Sequence, residues 1–428
     1  MRILFFTSSS YKYAQSKSHY FGSGWVDSLI QLLEGKAGIN LGLSFFHEKD
    51  NEKVVKDHVT YYPIYKAPRR KSPIKTVIGD WLGTFDDESA IQDLTKVIED
   101  FKPDVIQVFG VEGVFAYVQK HTDVPVLVHL QGLLNPYCNA YYPVNQSKWN
   151  FLFNPSYFVQ NILGKGPSFA AKRYYGMARR ENEHFKNLKF VTGRTGWDRL
   201  VTNISNPNIT YFNVNEVLRP IFYEKPRFKK KRIKDQRLQL VSTISPTIYK
   251  GIDVVLKTAK LLRQQTNIDF SWKVIGVAAQ HRFVRHFEKS LDIYHSEVNL
   301  EFLGIKKPED FIDELRQSDL YIHPSYIDNS PNSVCEAQMV GLPVIACHVG
   351  GLSSLIEHGE TGILVPSNGV YEIVHFVTRF ISSPEPYAKM GQKAMAVAKE
   401  RHDREKILEE LVRVYHSIRS DSNVMSKV

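Results

Sequence analysis

Cysteine is scarce in this chain, with three in 428 residues. Cys138 stands far from the other two, and eleven residues separate Cys335 from Cys347. No CxxC spacing closes a structural zinc site, and no cysteine framework staples a secreted domain, so a reducing cytoplasm is the expected compartment. Long apolar runs are also absent. The start, Met1-Arg2-Ile3-Leu4-Phe5-Phe6-Thr7, offers four consecutive apolar residues before a serine run, too few for a signal-peptide core. Nothing approaches the roughly 20 apolar residues of a membrane span. The expectation is a protein that neither crosses nor leaves through a membrane by its own sequence. Positive charge is gathered most densely in one stretch. The formal charge is +10, and between Arg219 and Arg237 nine Lys/Arg oppose only Glu224 and Asp235, so this stretch holds +7 of it. Such a run is either a solvated linker or a patch facing anionic lipid, each basic residue there contributing on the order of 1 kcal/mol. Nucleic acid is not the expected partner, because no aromatic-interleaved basic groove or recognition helix accompanies the run.

What is present is the composition of an ordinary globular protein, 43% hydrophobic and 23% charged, and long enough for two domains. Short β-branched and aromatic runs alternate with helix-period segments. Strands are expected at Ile3–Thr7, Leu41–Phe46, Asp104–Phe109, Pro125–Leu130, Leu188–Thr192 and Ile209–Val214 in the first half. In the second half they are expected at Leu238–Ile244, Trp272–Ile275, Leu300–Leu303, Leu320–His323, Pro343–Ala346 and Ile363–Val365. Most are continuous apolar runs, the pattern of strands covered on both faces of a parallel sheet. Helices are expected at Lys250–Gln265, Pro308–Ser318, Pro331–Val340 and Tyr371–Ile381. The chain therefore reads as two doubly wound α/β domains, with residues 1–215 in the first and 237–400 in the second. A basic linker at 216–236 joins them, and a C-terminal helix over 401–428 packs back on the first domain. Ligands of such sheets bind beyond the carboxyl ends of the strands, so chemistry is sought in the loops there.

After Leu320–His323 comes Pro324-Ser325-Tyr326-Ile327-Asp328-Asn329-Ser330-Pro331-Asn332-Ser333-Val334-Cys335-Glu336. Pro331 suits a first helical turn with Ser330 as its cap, leaving the amides of Asn332, Ser333 and Val334 as an anion site. Asp328 precedes that helix and Glu336 lies within it. Gly341-Leu342-Pro343-Val344, Gly350-Gly351 and Glu360-Thr361-Gly362-Ile363 follow, and a glycine pair lets backbone approach a ligand closely. Singly these features are ordinary. In this order they resemble the donor site of retaining glycosyltransferases of family 4, which have the GT-B fold.

The resemblance implies roles for particular residues. Glu336 would accept the ribose hydroxyls of a sugar nucleotide, and Asp328, where the family usually has Glu, would contact the donor sugar. Asn332, Ser333, Val334, Gly350 and Gly351 would lie against sugar and diphosphate. Lys250, followed by Gly251, would neutralise the diphosphate. Upstream, where the family commonly has Gly-Arg, this chain has Ser242-Thr243, so one cation is missing and Lys250 carries more of the task. In the first domain, Gly22 and Gly24 resemble the family's glycine-rich loop. The third glycine of a dinucleotide motif is lacking, which disfavours a Rossmann oxidoreductase. His129, at the end of a strand, matches a histidine that would hydrogen-bond the transferred sugar or the acceptor. Arg194 either meets a phosphate across the cleft or forms a structural Arg–Asp pair. Between Tyr137 and Tyr175, eleven Phe/Tyr/Trp and four Lys/Arg suit either a bilayer interface or an acceptor-side insertion that buries its rings.

The resemblance implies a cytoplasmic, metal-independent enzyme without a cofactor. It would move a sugar from a UDP- or GDP-sugar to a hydroxyl of a lipid-linked saccharide acceptor, with retained configuration, in capsule, O-antigen or exopolysaccharide assembly. No Asp-x-Asp flanked by a strand, as metal-dependent transferases of another fold use, occurs. The location would be the inner face of the cytoplasmic membrane. A degenerate sugar-nucleotide-binding scaffold and a GT-B epimerase or phosphorylase are the alternatives.

Overall fold

The computed structural model describes residues 1–13, 24–48, 52–65, 88–224 and 237–425. Gly22 and the basic residues Lys229, Lys230, Lys231 and Arg232 lie outside them.

The continuous apolar runs form two separate sheets. The first has eight strands in the order β3-β4-β2-β1-β5-β6-β7-β8. They are β1 (Arg2–Phe6), β2 (Asn40–His47), β3 (Val54–Lys56), β4 (Val59–Tyr65), β5 (Val105–Phe109), β6 (Val126–His129), β7 (Phe190–Gly193) and β8 (Thr210–Asn213). Every neighbouring pair is parallel except β3–β4. Strands β5, β6 and β7 are buried at every residue, as sheets covered on both faces require. The second sheet is wholly parallel, in the order β11-β10-β9-β12-β13-β14. Its strands are β9 (Leu238–Thr243), β10 (Phe270–Ile275), β11 (Leu300–Gly304), β12 (Leu320–His323), β13 (Val344–Cys347) and β14 (Ile363–Val365). Two doubly wound domains result, each strand order reversing beside its first strand. The loops after β6, β7, β9, β12 and β13 carry the candidate residues.

The strands expected from apolar runs are present, with ends shifted by one or two residues. β3 and β4 are additional. Pro63 inside β4 lacks the donor a central strand needs, which argues against a strand there. The sheet accommodates it because β3 pairs only with Val59–Tyr61, leaving β4 at the edge where Pro63 sits.

The segment between β6 and β7 folds into short helices, α3 (Leu134–Asn139), α4 (Lys148–Leu152) and α5 (Phe158–Ile162), followed by the long α6 (Pro167–Phe185). Among the described residues, two α-helices precede these, α1 (Gly24–Leu33) and α2 (Glu88–Phe101). The insertion's inner residues Tyr137, Tyr141, Phe151 and Tyr157 join the core of the C-terminal domain. Phe151 stacks on His286 at 4.3 Å, and the Tyr157 hydroxyl donates to the Arg282 carbonyl at 3.1 Å. The final helix, Arg404–Met425, runs the other way. Its Leu408, Leu411, Tyr415 and Ile418 enter the N-terminal core beside Leu29 and Val105, and Tyr415 donates to the Gln107 side chain.

Candidate donor site at the strand ends

Lys250 ends a single 3-10 turn after β9, and Gly251 follows in the left-handed region at φ +81°. A Cβ at Gly251 would stand 2.2 Å from the Pro324 carbonyl oxygen, so only glycine lets this turn lie against the loop after β12. That approach delivers the lysine to the acid. Lys250 Nζ donates to Asp328 Oδ2 at 2.5 Å. His323, the last residue of β12, bonds the same oxygen through Nε2 at 3.1 Å, and its Nδ1 is buried without a partner. Because a carboxylate only accepts, Nε2 is the protonated nitrogen. Burial would raise the Asp328 pKa, but Lys250 and His323 overcome it and hold the carboxyl well below its usual range. Against its own burial, Lys250 is pushed up by Asp328, so it stays charged.

The helix carrying Glu336 spans Asn332–Met339, with Pro331 rather than Ser330 at its cap. The Ser330 hydroxyl instead donates to Glu216 at 3.2 Å. The Val334 amide is also unavailable to a ligand, because it closes the first turn on the Pro331 carbonyl at 2.9 Å. The anion site expected of three amides thus reduces to those of Asn332 and Ser333. Glu336 is buried and ion-paired: Arg219 Nε and Nη2 each stand 2.7 Å from its Oε1. The rings of Phe222 and Phe311 flank that guanidinium at 5.0 and 5.1 Å. Burial pushes the Glu336 pKa up, and Arg219 opposes it only in part.

Gly350 and Gly351 belong to the same constellation through their lack of side chains. Gly350 has φ +52°, and a Cβ there would be 1.8 Å from the Asp328 carbonyl oxygen. At Gly351 it would be 2.2 Å from that of Asn329. The pair lets the loop after β13 pack onto the backbone that carries Asp328. Ser242 is committed to structure, donating to the Ile322 carbonyl at 2.6 Å and accepting from Trp272 Nε1 at 3.0 Å.

On the N-terminal side, Gly24 begins α1, and Trp25 packs 4.6 Å from the His129 ring. His129 Nδ1 bonds Thr192 Oγ1 at 2.9 Å, while Nε2 is buried without a partner. Burial, then the Arg194 charge, lower its pKa to about 3, so the ring is neutral. Arg194 makes a structural pair, but with an acid other than Asp198. Its Nη1 stands 3.1 Å from Glu216 Oε2, and both side chains are buried. Asp198 instead accepts from the Arg194 backbone at 3.0 Å and from Asn329 Nδ2 at 3.0 Å. With Thr195 Oγ1 donating to Asn329 Oδ1 at 2.7 Å, this ties the two sides of the cleft together.

Arg219, Glu216, His323 and Asn329 were not singled out by sequence reasoning. Only His323 carried a local signal, as the last residue of a strand leading into the Asp328 loop.

The architecture is that of the GT-B glycosyltransferases, two Rossmann-like domains facing each other. It resembles a sucrose-phosphate synthase from Thermosynechococcus elongatus, with TM-score 0.72 and 14% identity, over 98% of this chain and 99% of that one. It also resembles Anabaena HepE in complex with UDP-glucose, with TM-score 0.63 and 15% identity, over 97% of this chain and 100% of that one. Residues 224–397, which hold Lys250, Asp328 and Glu336, match the family described as glycosyl transferases group 1. An uncharacterized glycosyltransferase of Haemophilus influenzae is 32% identical over 163 residues, 38% of this chain and 44% of that protein. The colanic acid biosynthesis glycosyltransferase candidate WcaL of Salmonella typhimurium is 26% identical over 149 residues, 33% of this chain and 36% of that protein. The chain thus spans less than half the length of these curated relatives. It carries a glycosyltransferase group 1 domain within a GT-B fold.

Proposed function

We propose that the protein is a glycosyltransferase that uses a nucleotide-diphosphate sugar and transfers the sugar to a hydroxyl with retained configuration. The observation that carries this reading is the convergence of Lys250 and Asp328 beyond the ends of two adjacent strands, inside the group 1 match and in the same loop system as Glu336. A lysine already desolvated and held charged is suited to the negative charge that grows on a departing diphosphate. Asp328 would take donor-sugar hydroxyls and Glu336 the ribose. His129, neutral and with one ring nitrogen unpartnered, would hydrogen-bond the sugar or acceptor rather than act as a nucleophile. The departing diphosphate oxygen would help deprotonate the acceptor, and no metal enters the scheme. The acceptor is a lipid-linked saccharide in surface polysaccharide synthesis, a reading supported by the partial likeness to WcaL. Membrane proximity would follow from such an acceptor, and no helix among the described residues is long and apolar enough to cross a bilayer.

Thermal unfolding in a panel of UDP- and GDP-sugars tests the reading. A donor present at 100 times its dissociation constant should add about 2.7 kcal/mol of stability. The stabilising donor should then be slowly hydrolysed without acceptor. If no sugar nucleotide stabilises the protein or is cleaved, the reading fails; stabilisation without cleavage favours a binding scaffold.

A further inference from the structure

Large apolar side chains are exposed singly over most of this protein, but they gather on the insertion between β6 and β7. Of 17 exposed among the described residues, eight fall within residues 144–175. Six of these, Trp149, Phe153, Phe158, Val159, Ile162 and Leu163, lie within fifteen consecutive positions, with Phe153 74% and Phe158 64% exposed. The exposure is built in by the local structure. Ser147 caps the helix Lys148–Leu152 in a capping box with Asn150, and Trp149 and Phe153, one turn apart, stack at 5.6 Å. Phe158, Val159 and Ile162 then share one side of the next short helix.

The charge around these rings has one sign. From Val124 to Arg180 the chain has no Asp or Glu, against Lys148, Lys165, Lys172, Arg173, Arg179 and Arg180. The Lys148 ammonium lies 4.5 Å over the Trp149 ring, so cation and ring occupy the same level. We propose that this outer face of the insertion docks on an anionic lipid bilayer, with the rings and aliphatic tips at the headgroup boundary and the lysines on lipid phosphates. The charge decides between occupants. A second copy would bring an equally basic, acid-free segment and be repelled, as would this chain's own 225–236, where seven Lys/Arg face one acid. Anionic lipid supplies both the apolar layer and the opposite charge.

The opposite face of the same helices grips the other domain. His286, in the helix Arg282–Leu291, is held by Gln146 at 3.0 Å and Asn154 at 3.3 Å, and Arg282 donates to Gln160 at 2.9 Å. Lipid docking through this insertion would therefore set the height of both domains above the membrane. The inference deepens the reading of a lipid-linked acceptor, but lipid binding needs no turnover, so the two can fail separately.

Sedimentation with vesicles decides it. The full chain should pellet with phosphatidylcholine vesicles containing phosphatidylglycerol and stay in solution with phosphatidylcholine alone. It should be released as salt rises. Phe153→Ser with Phe158→Ser should weaken binding by roughly tenfold or more, as should Lys148→Glu with Lys165→Glu. Ile204→Ser, an exposed site elsewhere, should bind as the parent does. Should the serine variant fail to fold, a blue shift of fluorescence on anionic vesicles that is lost in Trp149→Phe reports the same contact. The proposal is overturned by a parent protein that stays in solution with anionic vesicles. It is equally overturned by ring variants that bind like the parent. A concentration-dependent dimer abolished by the ring variants, without lipid binding, would assign the face to a second copy instead. Stabilisation by sugar nucleotides is expected in every case if the donor reading holds.

Discussion

On the C-terminal side of the cleft, the ion pairs of Lys250 with Asp328 and of Arg219 with Glu336 keep their cations 18% and 12% exposed. On the N-terminal side, the pair of Arg194 with Glu216 is sealed, at 4% and 1%. All three stand at ends of buried strands or in the crossing between domains, yet they are physically different objects. A buried pair strongly resists loss of one partner because the other is left charged in a poor solvent. A pair at the rim can exchange one partner for a ligand group of the same sign. The first kind holds the cleft together, and the second leaves its cations within reach of the cleft.

The sharpest way to break this comparison is Arg194→Met. Leaving Glu216 buried without its cation should cost about 3–5 kcal/mol of stability, read by urea unfolding. A loss under 1 kcal/mol would remove the distinction. Lys250→Ala should act on turnover instead, lowering kcat by roughly 100-fold while changing donor affinity less, because the charge it meets grows as the sugar departs. Equal kcat in variant and parent would leave Lys250 a structural partner of Asp328 alone. Glu336→Gln should weaken donor binding by about 1.5–3 kcal/mol in titration calorimetry, the worth of charge-assisted bonds to ribose hydroxyls. In Arg219→Met nothing offsets the burial that pushes the Glu336 pKa up, so the acid limb of the donor-affinity profile should move to higher pH.

The smallest expected effect belongs to the N-terminal side. Glu181 accepts from the Leu134 and Asn135 amides at 2.8 and 3.0 Å, but burial pushes its pKa up to about 7. The native state then holds a proton that the unfolded chain releases near its ordinary carboxylate range. Its contribution is therefore full at low pH and lost as pH rises through about 7. Stability should fall by about 1–3 kcal/mol across that window and be flat in Glu181→Gln, measured by unfolding at several pH values.

The same contrast explains what could be read in advance. Strands of continuous Val, Ile, Leu and Phe declare themselves because burial on both faces is a property of the run itself. Asp328, Asn332 and Glu336 lie within one loop and helix, so spacing alone brings them together. The Arg219–Glu336 pair spans 117 positions and Arg194–Glu216 crosses a helix and a strand, and no local pattern records either. Arg219 was visible only as one charge of a basic run. The aromatic insertion gave its composition but not its two faces, because which rings turn inward depends on His286 and Arg282 from the other half of the chain.

The chain passes between the domains twice, after β8 and again before the last helix, and the two passages are bonded to each other. His402 Nδ1 bonds the Glu216 carbonyl at 2.9 Å, and the Tyr223 hydroxyl donates to the His402 carbonyl at 2.7 Å and accepts from the Leu218 amide at 3.1 Å. A single connecting strand would leave the halves free to swing and twist in any direction. Two strands fastened side by side behave like a door leaf on paired pins: rotation about the line through them is soft, while torsion across it strains both. Any opening of the cleft would thereby follow one angular coordinate, and closure would return Asn329 to Thr195 and Asp198 in the same register.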